Sequence, residues 1–317
     1  MNLSIIIPIY NVEEYISRCL DSIYTQGVED SEFEIFAIID GSPDNSSMVV
    51  KKYADLHKNL HLVEQNNAGV SSARNNGIRR SLGKYLMFVD PDDVLIEGGL
   101  SKVLHLVEQK PSEDLIIFKS FEENNEIYKW SDLFDIEKVY NANQILQGGY
   151  LRGSVWGCVY KRDFIMSNNI WFIEGMRNGE DTNFNLQILF YSNKISFANI
   201  NLYRLIGRDG SATRIFNKDR IDAMIKSVKT VSAMANELSK KEGNSASIPY
   251  MTYSSISNLV FDTIRTPNLG YHYLVRHGIT RALMIGELNG IKFLRKKMIV
   301  LKSSFVLFYI LSWIKNK

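Results

Sequence analysis

The sequence predicts an α/β fold: a Rossmann-like, mostly parallel sheet flanked by helices, with a helical C-terminal extension. Three features carry the prediction. Over the first third, short apolar runs alternate with helical patterns. The runs are continuously apolar, as expected of strands covered on both faces. Beyond about residue 216 only long helical periodicity remains. Strand and helix repeated in this way give a doubly wound sheet, whose ligands bind outside the carboxyl ends of its strands.

In chain order, the expected strands are SIIIPI (4–9), FEIFAIID (33–40), LHLVEQ (60–65), KYLMFVD (84–90) and DLIIFKS (114–120). Between the first two, Val12, Ile16, Cys19, Leu20 and Ile23 recur at three- and four-residue spacing and predict a helix. After the second, SPDNSS supplies capping residues for a helix carrying Val49, Tyr53 and Leu56. The segment EENNEIYKWSDLFDIEKVYN (122–141) is polar and reads as a mobile loop or a helix, and ISFANINLYRLIGRDGSATR (195–214) as a strand followed by a basic, glycine-containing loop. Helical periodicity then runs through DRIDAMIKSVKTVSAMANEL (219–238), YMTYSSISNLVFDTI (250–264) and YHYLVRHGITRALMIGEL (271–288), with KKEGNSASIP (240–249) as a linker between helices.

At 317 residues and 45% hydrophobic content the chain can bury a full core in one large domain or two. The net charge of +2 is too small for a nucleic-acid binder. It also has a local origin: residues 291–317 hold seven of the 37 Lys and Arg and no acid, leaving 30 bases against 35 acids elsewhere. Cys19 and Cys158 lack metal-ligand spacing, so a reducing compartment without a structural disulfide is expected. No basic residue precedes Arg18, which argues against a secretory signal and for the cytoplasm.

The stretch KYLMFVDPDD ends an apolar run on Asp90, Asp92 and Asp93. Carboxylates this close repel one another, so a cation, a proton or a polar ligand is expected beside them. Asp40 and Asp90 end the second and fourth strands, and Tyr10 and Asn11 follow the first, so all can converge on one crevice. PIYNVEEY contains no glycine, which excludes the dinucleotide turn, and a P-loop is also absent. What remains is a nucleotide held by carboxylates through base and sugar, with a divalent cation between its phosphates and the D-P-D-D turn. Farther on, GEDTNFNLQILF puts Glu180 and Asp181 in the first turn of a helix whose Phe184, Ile188 and Leu189 bury the other face. The helix N-terminus favours their ionised, basic form. Plainer alternatives stand beside each feature: a capping turn at 90–93, an Asx turn at Asp40, ordinary helix-start acids at Glu180 and Asp181, and a surface cation at Arg74.

Five segments, IIIPIYNVEEYISRCLDSI, IDGSPDNS, NNAGVSSARNNGI, YLMFVDPDD and GEDTNFN, match in order and spacing the inverting glycosyltransferases of family 2. Over about residues 1–215 the chain resembles those of bacterial capsule, O-antigen and exopolysaccharide assembly. The resemblance implies a GT-A fold, a UDP-sugar donor and inversion at the anomeric carbon. It implies that Asp40 hydrogen-bonds the uracil and that Pro8, Tyr10, Glu13 and Arg74 line the donor pocket. Asp90 and Asp92 would form the D-x-D that holds Mn2+ or Mg2+, with Asp92 the more direct ligand, and Asp181 would be the catalytic base. Residues 1–120 then form the nucleotide-sugar half and 121–215 the acceptor half, with 216–317 as a helical region; the implied acceptor is a lipid-linked saccharide. Ile39, Pro43 and Pro91 depart from the family pattern, and SVWGCVYKRDFI lacks the asparagine often found after the tryptophan; the three residues bear on base contacts and turn stiffness rather than on the reacting groups. Arg204, Arg208 and Arg214 are candidates for diphosphate contact or ordinary surface cations. Two other classes remain open. A sugar nucleotidyltransferase is disfavoured by the acidic, glycine-free PIYNVEE, and a non-catalytic nucleotide-sugar-binding module would have no use for Asp181.

The tail from 291 is apolar over Met298–Ile314 except for Lys302 and three serines, and is a little shorter than the roughly 20 residues of a membrane span. Leu294, Met298, Leu301, Phe305 and Phe308 form a stripe at helical spacing, flanked by Lys292, Arg295, Lys296, Lys297 and Trp313. This predicts a helix lying in an anionic leaflet, with the protein peripheral at the inner face of the cell membrane. The alternative is a helix docked on the domain or at a homodimer contact.

Overall fold

The apolar run at the start of the chain forms a strand, β1 (Leu3–Ile9), buried at every position between two parallel neighbours. The computed structural model describes residues 1–176, 178–206, 216–242, 245–286, 288 and 295–315. Along the chain β1 is followed by α1 (Glu13–Tyr24), β2 (Phe33–Asp40), α2 (Ser46–Leu56), β3 (Leu60–Gln65), α3 (Val70–Arg80), β4 (Tyr85–Phe88) and β5 (Val94–Leu95). Next come α4 (Gly99–Gln109), β6 (Leu115–Glu122), β7 (Asn125–Ile127), α5 (Ala142–Gln147), β8 (Cys158–Lys161), α6 (Arg162–Ser167), α7 (Glu180–Tyr191) and β9 (Ile195–Leu205). Helices α8 (Lys218–Glu242), α9 (Ser247–Arg265), α10 (Tyr271–Arg276), α11 (Arg295–Ser303) and α12 (Phe305–Lys315) follow. The chain divides into two compact units. The first holds Met1–Tyr140, Ser154–Glu174 and Ser192–Arg208; the second holds Asn141–Gly153, Gly175–Tyr191 and Asp209–Lys317.

In the first unit the sheet runs β3-β2-β1-β4-β8-β6-β9-β5, with β7 on β6. The first four strands in that order are parallel, as the continuous apolar runs predict. All five predicted strands form, but the fifth, β6, does not join β4. The short β8 enters antiparallel between them, and β6 pairs parallel with β9. A four-residue strand carries too little pattern to announce its partners. Ile16, Cys19, Leu20 and Ile23 are the buried stripe of α1, as their spacing requires. Helix α3 packs on β1 so closely that a Cβ at Gly77 would stand 2.5 Å from a methyl of Ile6. The polar stretch after β6 is not a loose loop: β7 folds back on β6, and Trp130 and Phe134 pack on Phe197 at 5.0 and 4.5 Å between ring centres. Tyr140 meets the same ring edge-on. A few aromatics anchor a segment whose average polarity hides them.

In the second unit α7 and α8 lie against α9. Ile221, Met224, Ile225, Val228 and Val231 bury one stripe of α8. The stretch from 271 to 288 is not one helix. α10 stops at Arg276, Gly278 takes φ +80°, and a 3-10 turn covers Arg281–Leu283; a left-handed glycine just past a helix end is a stop signal. The tail expectation also needs correction. Met298, Leu301, Phe305 and Phe308 are no more than 6% exposed: Phe308 meets Tyr253 edge-on, and Phe305 lies 5.6 Å from Tyr271. The stripe expected to face lipid is covered by protein, because periodicity finds a stripe without saying what covers it. Lys292 and Leu294 lie outside the described residues. Among the described residues no helix is long and apolar enough to cross a membrane.

Candidate functional site

The acidic turn after β4 resolves its own repulsion by giving each carboxylate a different environment. The Asp93 N–H donates to the Asp90 carbonyl at 3.1 Å, closing a turn with Pro91 at its second position, where a fixed φ suits it. Arg74, from α3 and only 3% exposed, donates to Asp90 Oδ1 at 2.9 Å, and its guanidinium lies 5.2 Å from the centre of the Phe172 ring. Asp92 is partly exposed, and its carbonyl accepts from Arg18 at 3.1 Å. Asp93 is buried and accepts from the Tyr203 hydroxyl and from the Ile206 N–H, both at 2.8 Å. Burial, and next the neighbouring Asp90 charge, push the Asp93 carboxyl up to about 7 against the pull of its two donors. The Tyr203 hydroxyl also accepts from the Asp90 N–H at 3.0 Å, and Trp156 stacks on the Tyr203 ring at 5.0 Å. One phenol thus ties the D-x-D turn to the end of β9. Beneath it, burial and then Asp93, Asp90 and Asp92 raise the Cys19 thiol, which stays protonated.

At the end of β2, Asp40 is 3% exposed. Its carboxylate accepts from Gln65 Nε2, Ala68 N–H and Gly69 N–H, each at 2.8 Å, and so pins the chain entering α3. Gly41 follows with φ +61°, where a Cβ would meet the Asn67 nitrogen at 2.7 Å. The loops after β1 and β2 are clasped crosswise. The Glu13 N–H donates to Asp44 at 2.8 Å, the Asn45 N–H donates to Glu13 at 3.0 Å, and the Asn11 N–H donates to Ser42 Oγ at 2.7 Å. Asn11 itself has φ +52°, a left-handed position that asparagine tolerates. The capping expected of SPDNSS comes from Asp44, which accepts from the Ser46 N–H at 3.2 Å, and from Glu13, rather than from the Asn45 side chain, which makes no cap bond. Slight burial opposes the Asp44 charge, but hydrogen bonds from Ser42, Ser46 and Glu13 outweigh it and hold the carboxyl down at about 2.

Pro8, Tyr10, Glu13, Asp40, Arg74, Asp90 and Asp92 all belong to the first unit, with Arg74 and Asp90 in direct contact. Pro8 is buried in β1 opposite Ile38, and Tyr10 is 48% exposed just beyond the strand. Glu13 spends its carboxylate on the α2 start. Asp181 lies in the second unit, partly buried in the first turn of α7 beside Glu180. Thr182 and Asn185 on that helix donate to the Gly153 and Arg152 carbonyls. Arg204 is exposed on β9; Arg208 and Arg214 lie outside the described residues. Sequence reasoning missed Tyr203, Asp44 and the buried polar run Asn183, Asn185 and Gln187. Asp44 was legible as an Asp two residues before Ser46, the pattern of a local cap; Tyr203 offered no local signal.

Among the described residues no group of three or more His, Cys, Asp or Glu side chains converges as a metal cage. Asp90 and Asp92 are both partly exposed, and one or two such carboxylates are what Mg2+ takes from a protein when phosphate and water complete its shell.

A parallel β3-β2-β1-β4 core with carboxylates along its carboxyl edge defines a nucleotide-binding class of α/β domain. Residues 4–164 match Glycosyl transferase family 2, and the chain belongs to that family. It is 32% identical over 235 residues to the glycosyltransferase GlyA of Streptococcus pneumoniae, a match covering 70% of this chain and 33% of that protein. It is 30% identical over 232 residues to EpsJ of Bacillus subtilis, an uncharacterized glycosyltransferase, covering 69% of this chain and 65% of that one. The matches thus span a third to two thirds of these relatives. The crystal structure of S. aureus TarS 1-349 in complex with UDP-GlcNAc superposes with a TM-score of 0.65 at 18% identity, covering 100% of this chain and 91% of that one. The fold is therefore GT-A-like, a mixed sheet flanked by helices with a helical extension.

Proposed function

We propose that the protein is an inverting glycosyltransferase that moves a hexose or N-acetylhexosamine from a UDP-sugar to a hydroxyl of a lipid-linked saccharide in surface-polysaccharide assembly. The observation that carries this reading is the set Tyr10, Asp40, Asp90 and Asp92 at or just beyond the ends of β1, β2 and β4, with Arg74 of α3 paired to Asp90, within the segment that matches family 2. A nucleotide-sugar donor is also supported by the TarS complex, which holds UDP-GlcNAc.

The exposed Tyr10 ring offers a stacking surface for the base. Asp40 accepts three hydrogen bonds from its own chain and, with about four lone-pair sites, has capacity for a uracil N–H. Asp92 and Asp90 would hold Mn2+ or Mg2+, which when bound supplies positive charge to the departing diphosphate. Arg74 fixes the orientation of Asp90. Asp181 would take the proton of the acceptor hydroxyl, and a single displacement needs no covalent nucleophile. A lipid-linked acceptor is confined to a membrane surface, which gives the basic segment 291–317 a purpose: an enzyme held peripherally at the cytoplasmic face meets that acceptor at high local concentration.

The direct test is a screen of UDP-sugars for slow hydrolysis with and without Mn2+, which needs no acceptor. Metal-dependent hydrolysis of one or two UDP-sugars is the expected result. Turnover of GDP- or dTDP-sugars alone would overturn the UDP assignment, and binding of UDP-sugars without turnover, even with added acceptors, would reduce the protein to a binding module.

A further inference from the structure

We propose that the outward face of α12 docks in the plane of an anionic lipid surface. Val306, Leu307, Ile310, Leu311 and Ile314 are 46–58% exposed. They share one broad arc of the helix, because Phe305 and Phe308 hold the opposite arc against the second unit. Large apolar side chains exposed on successive turns form a patch, unlike the single exposed leucines that any surface carries. At 11 residues α12 is far too short to span the roughly 30 Å hydrocarbon core, so contact with a bilayer leaves it lying in the interface.

Charge selects the occupant. α11 and α12 pack against each other so that Lys297, in the first turn of α11, meets Lys315 at the end of α12. Burial and the Lys315 charge lower the Lys297 pKa, as expected where two ammonium groups face each other. Arg295 and Lys296 are exposed beside them, and no acid occurs between 291 and 317. This cation cluster at the ends of the two helices calls for an anionic occupant, which a second copy meeting it tail to tail does not offer, since its tail holds no acid. Lipid phosphates neutralise the cluster. The inference rests on the membrane-surface reading above and deepens it, replacing the buried stripe with the opposite face.

The test is co-sedimentation of the full chain with phosphatidylglycerol-containing vesicles and with pure phosphatidylcholine vesicles. The wild type should prefer the anionic vesicles and lose binding as salt is added. Leu307→Ser/Leu311→Ser should lower partitioning at least about tenfold on both vesicle types. Lys297→Gln/Lys315→Gln should lower it about tenfold on the anionic vesicles and little on the neutral ones. Thermal melts and UDP-sugar hydrolysis should be unchanged in both. In the wild type, brominated lipid should quench an emission component that Trp313→Phe removes. Wild-type partitioning by the leucine variant would overturn the proposal while leaving the membrane-surface reading intact, with another surface responsible. No vesicle binding by the wild type would overturn both, and a wild-type dimer dissociated by the leucine variant would assign the face to a second copy.

Discussion

The carboxylates at the strand ends of the first unit and those at the start of α7 in the second are held in different ways. Asp40 takes three internal hydrogen bonds, Asp90 a buried guanidinium, and Asp93 a phenol and a backbone N–H. Glu180 and Asp181 instead sit partly buried in the first turn of a helix, where the aligned peptide dipoles favour negative charge. Groups locked by several bonds suit binding, in which the geometry must not change. A carboxylate at a helix start is held ionised, the form a general base must be in before it takes a proton. Under the proposed function donor holding falls to residues of the first unit and proton transfer to Asp181, and substitutions in the two should separate binding from turnover.

The largest effect is expected at Asp181. Because a base acts on the acceptor and not on the diphosphate, Asp181→Asn should keep UDP affinity yet lose transfer by at least about a hundredfold. Glu180→Gln should cost less. Calorimetric UDP titration beside a transfer assay reads both quantities, and a fully active Asp181→Asn enzyme would erase the proposed division of labour.

Next in size are Asp92→Asn and Asp90→Asn. Both should weaken metal-dependent UDP binding about tenfold or more and reduce transfer with it. Asp92→Asn should leave the melt unchanged because its side chain is partly exposed, whereas Asp90→Asn also takes the charge partner from the buried Arg74 and should lower it. Equal metal dependence in wild type and both variants would move the cation away from this turn. Tyr203→Phe should act on the same turn more weakly. Losing the hydroxyl leaves the Asp90 N–H and one Asp93 oxygen without their partner, at a cost of about 1–3 kcal/mol. Metal-dependent UDP affinity should fall a few-fold and metal-independent affinity should hold. A melt lowered with no change in metal dependence would make Tyr203 structural only.

How much of this was legible in the sequence follows from the range of the interactions. The parallel strands and the buried stripe of α1 repeat at short spacing, so the pattern alone located them. Asp40 and Asp90 were legible because a polar residue ending an apolar run marks a strand end, and in a doubly wound sheet strand ends are where ligands bind. Tyr203 was not, because its partner Asp93 lies 110 residues away and is reached through β9, whose neighbours no local pattern specifies. The tail shows the same limit from another side. Spacing picked out Met298, Leu301, Phe305 and Phe308 correctly as buried positions, but not as one helix: α11 ends at Ser303 and α12 starts at Phe305, and α12 is apolar nearly all round, so spacing alone did not say which face would meet the protein.

The smallest expected effect belongs to Asp44, and its direction with pH is fixed by the clasp. Its carboxyl titrates at about 2 in the folded protein against an ordinary 3.8. A depressed value means that the charge stabilises the fold above about pH 4 and that this contribution disappears as pH falls toward 2. Because the group is mostly solvated, the stabilisation is about 1 kcal/mol, less than the shift alone implies. Asp44→Asn should lose that amount at neutral pH and show a shallower fall in stability between pH 4 and 2 than the wild type in urea unfolding. The same change loosens the Glu13 N–H that fixes the loop beyond Tyr10, so UDP affinity should drop about two- to fivefold with the catalytic rate at saturating donor unchanged. An unaltered acid limb would mean that the clasp adds no stability through Asp44. A reduced rate at saturation would mean that the loop after β1 also shapes the transferring sugar.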